Sequence, residues 1–289
     1  MPTLGRNGRF ANQLFQYAFL RICAEQRGAA VSTPAWSGQE LFGFRDPPPD
    51  GSPATSVVYG DEIRDPEPYL NSRTPIGDAV EFQGFFQFPS RHYRPHREFL
   101  RRLFAFRPDL RGPFDEVVAQ MRGTGRPVVA LHLRRGDYGQ AQFFRAPARW
   151  YAEWLAGGPR DPLVYLASES PAELTHHFPA RRILHAGLLP NLPPVLAFAL
   201  DFHVMAHADA LAISNSSFSF MAAMLNDRAR IFVRPTLEDR RLVPFDPWDA
   251  PVLLPRRLVP GEQEELDAMD RAPGPFAGMG RGGAAVAAR

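Results

Sequence analysis

Val128–Gly139 reads VVALHLRRGDYG. Six residues of apolar, strand-forming character stop at two adjacent arginines, a glycine and an aspartate. An unpaired buried charge is very costly, so both guanidiniums must reach water or meet an anion. If VVALHL is a buried strand of a parallel sheet, the arginines stand just past its carboxyl end, where open α/β sheets bind ligands. The guanidinium fork matches phosphate oxygens two at a time. Asp137, three residues on, offers the competing explanation of a structural ion pair in a solvated loop.

The stretches that follow repeat the pattern. LVYLAS (163–168), RRILH (181–185), ALAIS (210–214) and RIFVRP (230–235) read as short strands, with helical candidates at 147–156, 171–177, 195–208 and 217–226 between them. Strands alternating with helices predict an α/β fold whose parallel sheet is covered on both faces. Towards the N-terminus, ANQLFQYAFLRICAEQRG carries Leu14, Phe15, Ala18, Phe19 and Ile22 at helical spacing, with Gly28 as its stop. An aromatic-rich segment with Phe82, Phe85, Phe86, Phe88 and Tyr93 follows, and RPDLRGP (107–113) marks a domain crossing. The expected organisation is a domain at 1–112, a second at 113–250, then an extension at 251–289 ending in a frayed tail.

Composition narrows the chemistry. The 289 residues are 45% hydrophobic and 22% charged, as in a soluble globular protein. A net charge of +2 without basic blocks argues against nucleic acid as a partner. No apolar run is long enough to span a membrane, no secretion signal opens the chain, and the single Cys23 excludes an internal disulfide. The expectation is therefore cytoplasmic. All 33 basic residues are arginine. Phosphate binding must then use arginine, backbone amides or hydroxyls, and lysine chemistry is excluded.

A second anion-binding candidate is ISNSSFSFMAAML (213–225), a strand end, a Ser/Asn turn and an apolar helix. Free amides at a helix N-terminus favour anions, although Ser216 or Ser217 can equally be an ordinary cap. The opening GRNGRFANQ does not have dinucleotide-fingerprint spacing. His203 and His207 lie four apart beside Asp201, too few ligands on their own for a zinc site, and they read as paired face histidines. His92, His96, His176 and His177 read as surface residues. Ser214 lacks a nucleophile-elbow context.

Four stretches, GRFANQLFQYAF (8–19), FQGFFQFPSRHY (82–93), HLRRGDY (132–138) and DFHVMAHADALAISNSSFSFMAAMLN (201–226), resemble in the same order the α-1,2-fucosyltransferases of glycosyltransferase family 11. The resemblance implies a GT-B-like fold, two Rossmann-like halves facing a cleft, with 1–112 on the acceptor side and the nucleotide sugar bound by 113–250. It also implies inverting, metal-independent transfer of L-fucose from GDP-fucose to the 2-hydroxyl of a sugar acceptor. It assigns Arg134 to the diphosphate, His132 to the base, and Ser216, Ser217 and Phe218 to phosphate contacts. Arg135 is a supporting charge or an ion-pair partner within the loop, and Asn12 and Gln13 match the family's NQ pair on the donor side. Where relatives often carry Ser-Asn-Asp or Ser-Asp-Asp, this chain has Ser168-Glu169-Ser170.

The implied partners are a GDP-sugar and an oligosaccharide, with no cofactor, no metal and no nucleic acid. Surface polysaccharide synthesis at the inner face of a membrane, with peripheral association, is the setting the resemblance implies. Asp137 is the nearest carboxylate to the phosphate loop, and two jobs are open to it, catalytic base or support for an arginine. The alternatives are a transferase using another GDP-sugar and a non-catalytic nucleotide-sugar-binding protein.

Overall fold

The computed structural model describes residues 1–178, 183–189, 192–271 and 274–276. Contacts divide the chain into two compact units, Met1–Pro113 with Asp246–Val252, and Phe114–Phe245 with the segment from Leu253 onward.

In the first unit, helix α1 (Phe10–Arg27) is buried along most of its length and ends at Gly28, whose φ of +61° is the left-handed cap conformation. Helix α2 (Ser37–Phe42) follows, then strand β1 (Ser56–Tyr59), helix α3 (Glu67–Leu70), strand β2 (Val80–Gln83) and helix α4 (Arg97–Leu103). Strands β1 and β2 pair in parallel as a two-stranded sheet. The aromatic segment is largely core: Phe19 of α1 stacks on Phe86 at 4.3 Å and meets Phe82 edge-on at 5.4 Å. Phe85, by contrast, is exposed.

Helix α5 (Pro108–Gly123) leads out of the first unit. RPDLRGP reads as a domain crossing; the division between the units falls at Pro113, which sits inside this helix. Pro113 is its sixth residue, and α5 buries Phe114, Val118 and Met121 on one side.

The second unit contains strand β3 (Val128–His132), helix α6 (Ala148–Gly157), strand β4 (Leu163–Ala167), helix α7 (Pro171–Leu174), strand β5 (Ile183–Leu184), helix α8 (Ala197–His207), strand β6 (Ala210–Ala212), helix α9 (Ser217–Leu225), strands β7 (Ile231–Thr236) and β8 (Arg241–Pro244), and helix α10 (Glu262–Met269). The sheet order is β5-β4-β3-β6-β7-β8, parallel except for the antiparallel β7–β8 edge. Numbered from β3, that is the 3-2-1-4-5-6 order of a doubly wound dinucleotide-type sheet.

Every residue of β3, β4 and β6 is buried. Val129, Leu131, Val164, Leu166, Ala210, Ala212 and Val233 share one core with Trp150 and Tyr151 of α6 and Leu266 of α10. Tyr165 points to the opposite face, where its hydroxyl bonds Asp201 of α8 at 2.7 Å. Burial on both sides explains the unbroken apolar runs, since neither face alternates with solvent. The start of the RRILH strand, part of the segment joining β5 to α8, and most of the expected frayed tail lie outside the described residues. Within 251–289, Leu266 and Met269 of α10 pack on the core together with Leu254, Leu258 and Phe276.

Burial raises the Asp201 carboxyl from 3.8 to about 7, opposed by the Tyr165 bond. A folded value above the unfolded one means that this group's stabilisation is complete below the unfolded value and is lost as pH rises through about 7. Asp201→Asn cannot ionise and still accepts the Tyr165 hydrogen. Its melting temperature should exceed the parent's by about 2–4 °C at about pH 8, with the gap closing towards pH 5. Parallel melting curves across that range would reject the assignment.

Candidate functional site

The sheet order reverses between β3 and β6, whose paired registers are Val129↔Ala210 and Leu131↔Ala212. Helices depart on opposite sides from such a point, leaving the carboxyl ends of the two strands open to a ligand. His132 and Arg134 stand at the end of β3, and Ser214–Ser217 at the end of β6.

His132 is buried, and its Nδ1 shares a 2.9 Å hydrogen bond with Ser214 Oγ. Its ring lies 5.4 Å from that of Phe218. Burial, and secondarily the Arg134 charge, push its pKa down to about 3. The imidazole is thus a neutral hydrogen-bonding group, and the cations at this end of the sheet are arginines.

Arg134 has 14% of its side chain exposed. Nη2 donates to Asp137 Oδ1 at 2.7 Å, Nη1 pairs with Glu169, and the guanidinium lies 5.2 Å above the Tyr138 ring. Its Nε is buried and has no hydrogen-bond partner among the described residues. The ion pair with Asp137 therefore exists, but it does not satisfy the whole guanidinium.

Arg135 turns the other way. Nη1 donates to the Ala146 carbonyl at 2.7 Å and Nη2 to Asp270 at 3.3 Å, beyond α10. Burial lowers its pKa while Asp270 opposes the shift. Its ion-pair partner lies on the C-terminal segment rather than within the loop. Arg145, which donates to Asp267 of α10 at 2.6 Å, passes so close to Gly139 that a Cβ there would meet its Nη1 at 2.5 Å. With φ at +122°, position 139 therefore accepts only glycine.

The turn before α9 is buried from Ser214 to Ser217. Ser216 is the N-cap and its Oγ accepts from Phe218 N at 3.3 Å. Asn215 Nδ2 donates to the Gln142 carbonyl at 2.8 Å, and Tyr151 of α6 donates to the Ile213 carbonyl at 3.0 Å, so the turn is fixed from both sides. Asn215 Oδ1 is buried without a hydrogen-bond partner among the described residues. Sequence reasoning assigns Asn215 no role, because an asparagine within a serine-rich turn carries no separate signal, and marks Glu169 only as a departure from the relatives' acidic segment.

Asn12 and Gln13 belong to the first unit, in the first turn of α1. Gln87 Nε2 donates to Asn12 Oδ1 at 2.7 Å, and Gln13 Nε2 donates to the Gly8 carbonyl at 3.1 Å. Gly8 has φ +77°, and a Cβ there would lie 2.4 Å from Asn12 Nδ2.

The histidine readings resolve individually. His203 is buried, bonding Asp115 of α5 at 2.9 Å, and His207 Nδ1 bonds the His203 carbonyl one helical turn back. Potential metal-ligand atoms of Asp115, His203 and His207 lie within 4.8 Å of one another, and these bonds account for the cluster as a tie between two helices. His177, read as a surface residue, is buried against the His176 ring at 3.9 Å. No described helix is long and apolar enough to cross a membrane.

Comparison with known proteins agrees with this geometry. No family model matches the chain. The galactoside α-(1,2)-fucosyltransferase 1 of Pan troglodytes is 33% identical over 159 residues, and that of Homo sapiens 32% over 161, in each case 51% of this chain and 41% of the relative. The chain thus spans less than half the length of the curated relatives it matches. In fold it is similar to NodZ α-1,6-fucosyltransferase soaked with GDP-fucose (TM-score 0.53, 13% identity, 82% of this chain and 95% of that one). It is also similar to the FUT1 protein of Arabidopsis thaliana in complex with GDP (TM-score 0.50, 11% identity, 81% and 70%). These likenesses establish the GT-B-type α/β fold.

A histidine held neutral by burial should give no protonation step in the ordinary imidazole range. In a ring-nitrogen NMR titration, His132 should stay neutral down to about pH 4, against about 6.5 for a free side chain. A midpoint between about 5 and 7 would show that the ring is not packed as described.

Proposed function

We propose that the protein is a fucosyltransferase, which passes L-fucose from GDP-fucose to the 2-hydroxyl of a sugar acceptor with inversion at the sugar carbon and without a metal ion. One observation carries the reading. At the switch point of a dinucleotide-type sheet, a guanidinium and a capped helix N-terminus stand at the ends of adjacent strands, and Arg134 Nε and Asn215 Oδ1 there lack hydrogen-bond partners among the described residues. A buried donor and a buried acceptor left open on the protein side are the groups a bound ligand would satisfy.

Bond breakage leaves negative charge on the diphosphate while the sugar ring becomes oxocarbenium-like, as in glycoside hydrolysis. Arg134 and the first amides of α9 would stabilise that charge, with Ser216, Ser217 and the Phe218 backbone in contact. Preorganised donors of this kind contribute about 3–4 kcal/mol each. His132 would stand beside the guanine as a neutral partner. Asp137 is our candidate base, while Arg135 would support the loop through α10 rather than touch the donor. Asn12 and Gln13 are assigned to the donor side by their motif. A non-catalytic GDP-sugar binder is the second reading, favoured by the fact that Arg134 already carries two carboxylates.

Ligand-linked stabilisation tests the reading. GDP and GDP-fucose at millimolar concentration should raise the melting temperature, whereas UDP and ADP should not. Arg134→Ala should abolish the GDP shift and lower kcat/KM by about a hundredfold or more. Normal binding and turnover in that variant would remove Arg134 from the site, and GDP binding without product across many acceptors would favour the silent binder.

A further inference from the structure

Glu169 lies two residues beyond β4, and the parallel register sets His132 beside Ala167. The ladder runs one step further, with Leu133 N donating to the Ala167 carbonyl at 3.0 Å. That alignment carries the Glu169 carboxylate under the loop. One oxygen accepts from Arg135 N at 3.1 Å, and the other pairs with Arg134 Nη1. Between them, Gly136 turns at φ +37°, and a Cβ there would stand 3.6 Å from Glu169 Oε1. The loop is folded around this carboxylate.

Arg134 therefore carries two carboxylates, and they differ. Asp137 pairs from within the same loop, three residues away, with 53% of its side chain exposed. Glu169 pairs from the neighbouring strand, is 34% exposed, and also holds a backbone N–H. One cation with two carboxylates is already net negative. A diphosphate arriving on the same guanidinium meets like-charge repulsion unless one carboxylate withdraws. Withdrawal of Glu169 would leave the Arg135 amide without its acceptor, whereas Asp137 is more than half exposed and returns to water at smaller cost.

Resting on the reading that this site takes a GDP-sugar, we propose that Glu169 is a positioning residue that stays on Arg134, and that the donor's diphosphate replaces Asp137 there. The exchange orders the reaction. Before the donor arrives, the Asp137 carboxylate is neutralised by Arg134; afterwards it is a released base next to the leaving group. The acceptor oxygen then forms its bond to the sugar carbon. The carbon–oxygen bond to the diphosphate breaks with its electron pair kept on the phosphate oxygen, and the hydroxyl proton passes to Asp137. Donor binds first, acceptor second.

The two carboxylates should respond oppositely in calorimetric titration of full-length protein with GDP. Glu169→Ala should weaken GDP binding by about tenfold, the size of one charge-assisted interaction. Glu169→Gln keeps an acceptor for the Arg135 amide and should fall between Ala and the parent, raising the donor KM with little change in kcat. Asp137→Asn removes the competing charge and should tighten GDP binding by about threefold or more while lowering kcat by about a hundredfold. Melting curves on each variant separate lost affinity from lost folding, and Glu169→Gln serves as the test should Glu169→Ala not fold. GDP binding by a folded Glu169 variant as tight as the parent's, or an Asp137→Asn variant tightened less than twofold, overturns the inference while leaving the function intact. Parent protein that binds no GDP at millimolar concentration overturns both.

Discussion

The guanidinium of Arg134 is the charge around which the second unit is arranged. It is 14% exposed, too sheltered to be left to water and too open to be core. It can be held there because β3 is an internal strand, paired to β4 on one side and β6 on the other. Those two ladders fix where β3 ends, and the end of β3 fixes Arg134. The same ladders bring Glu169 from β4 and the serine turn from β6 to that point. A slip of one residue in either ladder would move every β3 side chain to the wrong face of a sheet buried on both sides.

Charge at this end of the sheet is concentrated by what its neighbours cannot do. His132 is kept neutral by burial and by Arg134 itself, so it adds no second cation. Arg135 is drawn away to Ala146 and Asp270, which ties the loop to α10 and turns its charge from the strand end. What remains on the positive side is one guanidinium and the amides at the start of α9. Arginine does not release its proton as a buried lysine would, and a chain without lysine has no softer option. The arrangement suits a leaving group whose charge must be met by groups already in place.

Much of this was legible before the coordinates. The apolar runs VVALHL, LVYLAS and ALAIS are internal strands because both faces of the sheet are covered, and the arginines fall at the carboxyl end of one, as parallel topology requires. Ser216 proved to be the cap of α9. The misses share a cause. Helix α5 was hidden because proline is disfavoured inside helices and this helix carries only a narrow apolar side. The β8 edge strand, half-exposed, has no apolar run to reveal it. Glu169 and Asn215 matter through partners 34 and 73 residues away, and local pattern carries no information about those. The two arginines look equivalent in RRG, yet tertiary contacts send them in opposite directions.

The comparisons bear unequally on donor and linkage. Sequence similarity runs to proteins named for α-(1,2) transfer, and fold similarity to one named for α-1,6 transfer. Linkage is decided by which acceptor hydroxyl meets the sugar carbon, so a sheet that holds the departing nucleotide can serve either product. On the proposed reading, Arg134 and the capped serine turn act on the leaving group, whichever hydroxyl replaces it. On that reading, specificity for the 2-hydroxyl would reside in residues that hold the acceptor ring against the donor carbon. A substitution that changes linkage should leave GDP affinity untouched, because the two selections draw on different surfaces of the same transition state.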